Sequence, residues 1–287
     1  MAQQQTEPAA AVPGGGTGDG GGNALNDPQR PRSKRRKGRP ARGHVARKII
    51  QVIGELLLTA GLIMLLFVAW ELWWTNVEAD AKQSQAIQGF AKDFAGPVAP
   101  VAPAGQPAAK PDYGKPVVAE APAHGGMIGI MYIPRFGPDY SRPIIEGTGS
   151  DILDTLGLGH YGSTSMPGAP GNFAVAGHRQ THGAVLDNIH LLVPGDKIYV
   201  QTQDGYYTYV FRNNQIVLPN RTDVLLPVPT QPGVNPTESY LTMTSCNPRF
   251  GSQERIIAYS LLDSWQPASA GPPQEIAKQV AKTSGKG

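Results

Sequence analysis

Tyr240-Leu241-Thr242-Met243-Thr244-Ser245-Cys246-Asn247-Pro248-Arg249-Phe250, followed by Arg255-Ile256-Ile257-Ala258-Tyr259-Ser260-Leu261-Leu262, is the stretch from which the fold can be read. Tyr240 to Thr244 alternates bulky and hydroxylated residues, a pattern that suits a pleated surface and predicts a strand. Asn247-Pro248 stops it, because proline lacks an N–H for the ladder and pushes its predecessor into extended or turn geometry. Arg255 to Leu262 predicts a second strand after a short Gly-containing connection. Cys246, the single cysteine of the chain, therefore stands at a strand end with Arg255 expected beside it across a hairpin.

Outward from this hairpin, residues 126–265 break into short strands separated by turn pairs. Strands are expected at Met127–Ile133, Pro143–Glu146, Asn172–Ala176, Lys197–Thr202, Tyr206–Val217, Asp223–Leu225, Ser239–Ser245 and Arg255–Leu262. Ser150 to Leu156 carries an N-cap signal and one apolar face, and predicts a short helix. Val185 to Leu192 suits another helical turn. The spacing implies an all-β barrel or sandwich with short helices.

The rest of the chain is organised around a membrane. Residues 1–48 carry ten Lys or Arg against three acids. That stretch is rich in Gly, Gln and Pro and is expected to be a disordered basic tail. Ile49 to Trp74 is a predominantly apolar run, charged only at Glu55 and Glu71, and predicts a single transmembrane helix, with Trp70, Trp73 and Trp74 as an interfacial belt. Long Trp side chains stand where a signal peptide would have its cleavage site, which argues for an anchor. The basic flank places the N-terminus in the cytoplasm and the remainder outside. No nucleic-acid partner is expected, because the basic cluster lies in a tail instead of on a folded face. Residues 75–125 predict a stalk, first helical and then Pro/Ala-rich and extended, and residues 266–287 a flexible tail.

An exported protein that keeps one unpaired thiol suggests use of that thiol. Cys246, near Arg249 and Arg255, sits in an electropositive setting that favours thiolate. A cysteine nucleophile needs a histidine for proton transfer. Under this topology His44 and His124 drop out, leaving His160, His178, His182 and His190. His178 closes the apolar run Phe173-Ala174-Val175-Ala176-Gly177, so it is a strand-end residue like Cys246. His160, beside Tyr161, suits the lining of a cleft. These histidines lack compact ligand spacing and a cysteine partner, so no metal or cofactor is expected.

Thr242-Met243-Thr244-Ser245-Cys246, Ala176-Gly177-His178-Arg179 and Arg255 together resemble the sortases, cysteine transpeptidases of Gram-positive cell surfaces. The Cys-Asn-Pro-Arg-Phe extension and the anchor look most like class E, the housekeeping group of many actinobacteria. Met243 stands where the family carries leucine, a volume-conserving change, and Ser245 where it carries threonine. The resemblance implies an eight-stranded sortase-like β-barrel with catalytic Cys246, His178 and Arg255. Thr244, Ser245, Asn247 and Tyr161 are the expected substrate-binding residues. It further implies cleavage of a Leu-Ala-x-Thr-Gly-like signal between Thr and Gly through a Cys246 thioester. The partners would be surface proteins bearing a C-terminal sorting signal, and a lipid II or peptidoglycan cross-bridge amine. The competing readings are a pilin-polymerising sortase, an L,D-transpeptidase (whose Ser-x-Gly-Cys surroundings are missing) and a stalked binding module with a merely structural cysteine.

Overall fold

The computed structural model of the chain describes residues 42–93 and 111–285. The expectations for the basic tail up to residue 41, for the linker at 94–110 and for the last two residues fall outside these.

The first element is α1 (Arg42–Asp93), a helix of 52 residues. No proline interrupts the run, and Leu, Ile, Ala and Val dominate it through Val68. Side chains such as Leu58 and Met64 are exposed all round the helix, a surface that water does not favour. Among the described residues α1 alone is long and apolar enough to cross a membrane, with a mean hydropathy of 2.4 in its most apolar window.

Past Trp74 the character of α1 changes. Ala79, Gln83 and Ile87, and then Phe90 and Ala91 three and four residues on, are buried, a spacing that puts them on one helical face. Ile87 and Phe90 pack with Ile130, Tyr132, Tyr199 and Tyr206 of the barrel wall and with Ile276 and Val280. Residues 75–93, expected as the foot of a stalk, instead cover the barrel. Further along, Tyr207 donates its hydroxyl proton to the Val117 carbonyl at 2.5 Å, and Trp265 Nε1 donates to Gly114 O. The described part of the linker thus lies along the domain.

The barrel comprises β1 (Met127–Tyr132), β2 (Ser141–Glu146), β3 (Leu158–His160), β4 (Gly171–Ala176), β5 (Lys197–Gln201), β6 (Gly205–Val217), β7 (Ser239–Asn247) and β8 (Glu254–Pro267). They close in the order β1-β2-β3-β4-β7-β8-β6-β5, which removes exposed sheet edges. Alternation fills the interior: Met131 and Ile133, Phe173 and Val175, Tyr207, Tyr209 and Phe211, and Leu241 and Met243 all point inward. Each such side chain contributes about 1.5–3 kcal/mol by leaving water.

Three local expectations are corrected. Thr222–Leu225 is a 3-10 helix, not a strand, and its Val224 caps Val217 and Ile257 on the outer barrel wall. The strand β3 was not foreseen, since Leu158-Gly159-His160 offers no alternation. It is held by parallel pairing to β2 and antiparallel pairing to β4. The expected flexible tail continues β8 to Pro267 and ends in α3 (Ala277–Thr283). Ile276 and Val280, one turn apart, bury there against the barrel wall. The predicted helices are shorter than expected: α2 (Ser150–Leu153) and a 3-10 turn at Asp187–Leu191.

Candidate active site

Two neighbouring parallel strands bring the cysteine and the histidine to the same end of the barrel. In the β4–β7 ladder Ala176 is the register partner of Thr244, so His178 and Cys246 each lie two residues further on. The ladder continues one step, with Gly177 N–H donating to Thr244 O at 3.1 Å. Glycine at 177 lets the core pack closely, since a Cβ there would stand 2.7 Å from Val185 Cγ2 and 2.9 Å from Leu158 Cδ2 and would push those side chains aside.

Side-chain bonds tie the two strand ends together. Ser245 Oγ donates to Gly177 O at 2.8 Å. Arg179 Nη1 donates to Cys246 O at 3.2 Å and to Asn247 Oδ1 at 2.6 Å. The Asn247 amide in turn donates to Glu254 on β8. Arg179 is buried, and burial pulls its pKa below the usual guanidinium value, with Asp187 opposing the shift. A buried cation with these bonds is a fastener for the loop that follows His178.

Arg255 faces Cys246 directly as its register partner in the antiparallel β7–β8 ladder, so both side chains project from the same side of the sheet. Its Nη1 donates to the carbonyls of Ser252 and Glu254. Arg249, the competing cation, is clamped by Asp187 through two bonds of 2.7 and 2.5 Å and lies over the exposed ring of Phe250. Of the two arginines, Arg255 is thus the cross-strand neighbour of Cys246, whereas Arg249 is held by Asp187.

The histidine has a partner that the sequence reading missed. Asp154, at the C-terminal end of α2, bonds His178 Nε2 at 2.6 Å. With Nε2 engaged, the Nδ1 nitrogen is the one left to exchange a proton. No short motif announces this contact, because Asp154 lies 24 residues before the histidine. His182, set aside as a solvated imidazole, has its ring 5.0 Å from that of His178.

The expected substrate-binding residues separate into two groups. Thr244 shares the face of Cys246 by strand alternation, and its hydroxyl meets the Tyr161 hydroxyl at 3.0 Å. Ser245 and Asn247 point to the other face and are occupied by the bonds above. His160 does not line a cleft: it is fully buried, with Nδ1 2.6 Å from Glu146 and Nε2 within reach of Thr164 Oγ1 and Ser165 O.

A family model described as "Sortase domain" matches residues 131–263. Sortase SrtE2 of Streptomyces coelicolor is 31% identical over 251 residues, which cover 84% of this chain and 93% of the relative. The chain belongs to the sortase family. Sortase SrtE1 of the same organism is 36% identical over 249 residues, and there the chain spans 65% of the relative's length. Among solved structures, a sortase SrtA from Actinomyces oris is 37% identical with a TM-score of 0.55, covering 57% of this chain and 94% of that one. These relatives bear out the likeness to class E and the closed barrel, and sortases as a family are cysteine transpeptidases.

Proposed function

We propose that the protein is a membrane-anchored sortase that joins secreted proteins to the cell wall through a cysteine thioester. The observation that carries this reading is the placement of Cys246 between His178, on the neighbouring strand end, and Arg255, its direct cross-strand partner. The Cys246 sulfur, as thiolate, attacks the threonine carbonyl carbon of a Leu-Ala-x-Thr-Gly-like signal. The tetrahedral oxyanion falls toward the Arg255 guanidinium, which favours charge that develops there. The Thr–Gly C–N bond breaks, and His178 gives its proton to the departing glycine amine. An incoming peptidoglycan-precursor amine, whether of lipid II or of a cross-bridge, then loses a proton to His178 and attacks the thioester. The new amide forms as the sulfur leaves.

Thr244 and Tyr161, paired beside the cysteine, serve in this reading as the wall against which the substrate lies. Ser245 and Asn247, also expected to bind substrate, act instead by fastening β7 to the histidine loop and to β8. The long apolar helix supports an anchor at the membrane, where the lipid-linked acceptor is found. With the basic flank inside, the barrel lies on the outer side.

The test is cleavage of a fluorogenic Leu-Ala-x-Thr-Gly peptide by the full chain and by Cys246→Ala. Turnover confined to the wild type supports the reading. Equal turnover by the variant overturns it.

A further inference from the structure

We infer that Asp154, His178 and His182 form a binding site for a divalent transition-metal ion, zinc above all, and that its occupancy blocks the catalytic histidine. One donor atom from each residue, a carboxylate oxygen and two imidazole nitrogens, lies within 4.8 Å of the others. The Asp154 Oδ1 to His178 Nε2 distance is 2.6 Å, and Asp154 Oδ1 to His182 Nδ1 is 3.9 Å. Donors on a tetrahedral zinc, at its usual bond lengths, stand about 3.3 Å apart. The first gap must therefore open and the second close by less than the width of an atom, and the third, between the two imidazoles, already lies within 4.8 Å.

A second observation points to a ligand. His182 Nδ1 is buried from solvent and has no hydrogen-bond partner among the described residues. Buried imidazole nitrogens are normally satisfied, and this one is directed at the carboxylate that already holds His178. His182 also adopts a left-handed backbone, φ 54°, uncommon for a residue with a side chain. Surrounding bonds hold it there. Asn76 accepts from Gly183 N–H and donates to Gln180 O, Gln83 donates to His182 O, and Arg142 donates to Gly183 O. The donors are thus pre-set by a loop anchored on both sides.

The donor set selects the ion. Two imidazoles and one carboxylate suit zinc and its neighbours, whereas calcium and magnesium favour oxygen ligands. Three protein ligands also leave a fourth position for water or another small ligand. The sequence spacing His178-x-x-x-His182 lacked its third ligand until the fold delivered Asp154 from the end of α2.

The consequence for catalysis rests on the transpeptidase reading, but binding itself does not. An imidazole that holds a metal on Nε2 cannot become the doubly protonated imidazolium. His178 so occupied keeps only its Nδ1–H, and giving that proton to a departing amine would leave an imidazolate, so the ring is lost as an effective acid. Zinc would then be a reversible inhibitor acting at the acid and base, leaving the thiol untouched.

Isothermal titration of the full chain in detergent micelles with zinc chloride tests the site without substrate. One zinc per chain is expected, with a dissociation constant on the order of a micromolar or tighter. His182→Asn, which keeps a residue tolerant of the left-handed conformation, should weaken binding by at least about tenfold. Its metal-free activity should match the wild type, while zinc no longer inhibits it. His190→Asn should bind zinc as the wild type does. Equal affinity in His182→Asn overturns the site, as does loss of binding in Cys246→Ala, which would make the thiol a ligand. If no variant and no wild type turns over the peptide, the transpeptidase reading fails while the isotherms still decide the metal site.

Discussion

Cys246 on β7 and Arg255 on β8 are direct partners across an antiparallel ladder. Such partners stand about 5 Å apart at the Cα atoms, close enough for a guanidinium to reach a group bonded to the sulfur. Arg255→Ala should lower kcat/KM by about 100- to 1,000-fold, the usual effect of removing an oxyanion donor. Arg255→Lys should recover only a small part, because an ammonium lacks the planar fork. Arg249→Ala, which breaks the pair with Asp187, should leave kcat within a few fold. Steady-state kinetics on a single peptide separates the three.

The Asp154 contact gives a second expectation. Asp154→Ala frees His178 Nε2 and removes the group that fixes the ring. A fall in kcat of about tenfold at nearly constant KM follows, as for loss of one aid to acid–base catalysis. Asp154→Glu should restore part of the rate. A change confined to KM would instead place Asp154 in substrate binding.

Ser245 is where the chain departs from the family's threonine, and its environment explains why that is tolerated. Its hydroxyl, not its missing methyl, holds Gly177 O. Ser245→Ala should cost about 1 kcal/mol and loosen the link between β7 and His178. Ser245→Thr should keep stability and rate. Urea denaturation of the two variants, with turnover measured alongside, gives the comparison.

The His160–Glu146 pair supports the barrel beneath the site. The His160 side chain has no exposure and that of Glu146 only 11%. His160→Ala removes one partner and leaves a carboxylate enclosed, at a cost of about 3 kcal/mol. Thermal melts should show a drop of roughly 6–12 °C for a domain of this size, whereas a change below about 2 °C would mean that solvent or another group satisfies Glu146.

Much of this was legible in the sequence because the barrel strands write their alternation plainly. Leu241 and Met243 against Thr242 and Thr244 is one example. The strand-end Cys246 and His178 were legible for the same reason, since a proline and a glycine punctuate their strands. Asp154 was not, because its relation to His178 is made by α2 folding across the strand ends and leaves no local pattern. Leu158–His160 was missed because three residues with one aliphatic side chain carry no period, and their pairing comes from strands on either side. The tail was misread because two apolar residues, Ile276 and Val280, are enough to dock a single helical turn but too few to stand out among Pro, Ala and Lys. The buried stripe of α1 beyond Trp74 was hidden similarly, as Ala79, Gln83 and Ala91 are small or polar by composition.

The central claim is that Cys246 carries the substrate as a thioester. Intact-protein mass spectrometry after quenching the full chain with a Leu-Ala-x-Thr-Gly peptide in the absence of an acceptor amine measures this directly. The predicted result is an adduct equal to the peptide acyl group ending in threonine, located on Cys246 and discharged by added amine. Peptide cleavage with no adduct on Cys246, persisting in Cys246→Ala, would contradict it.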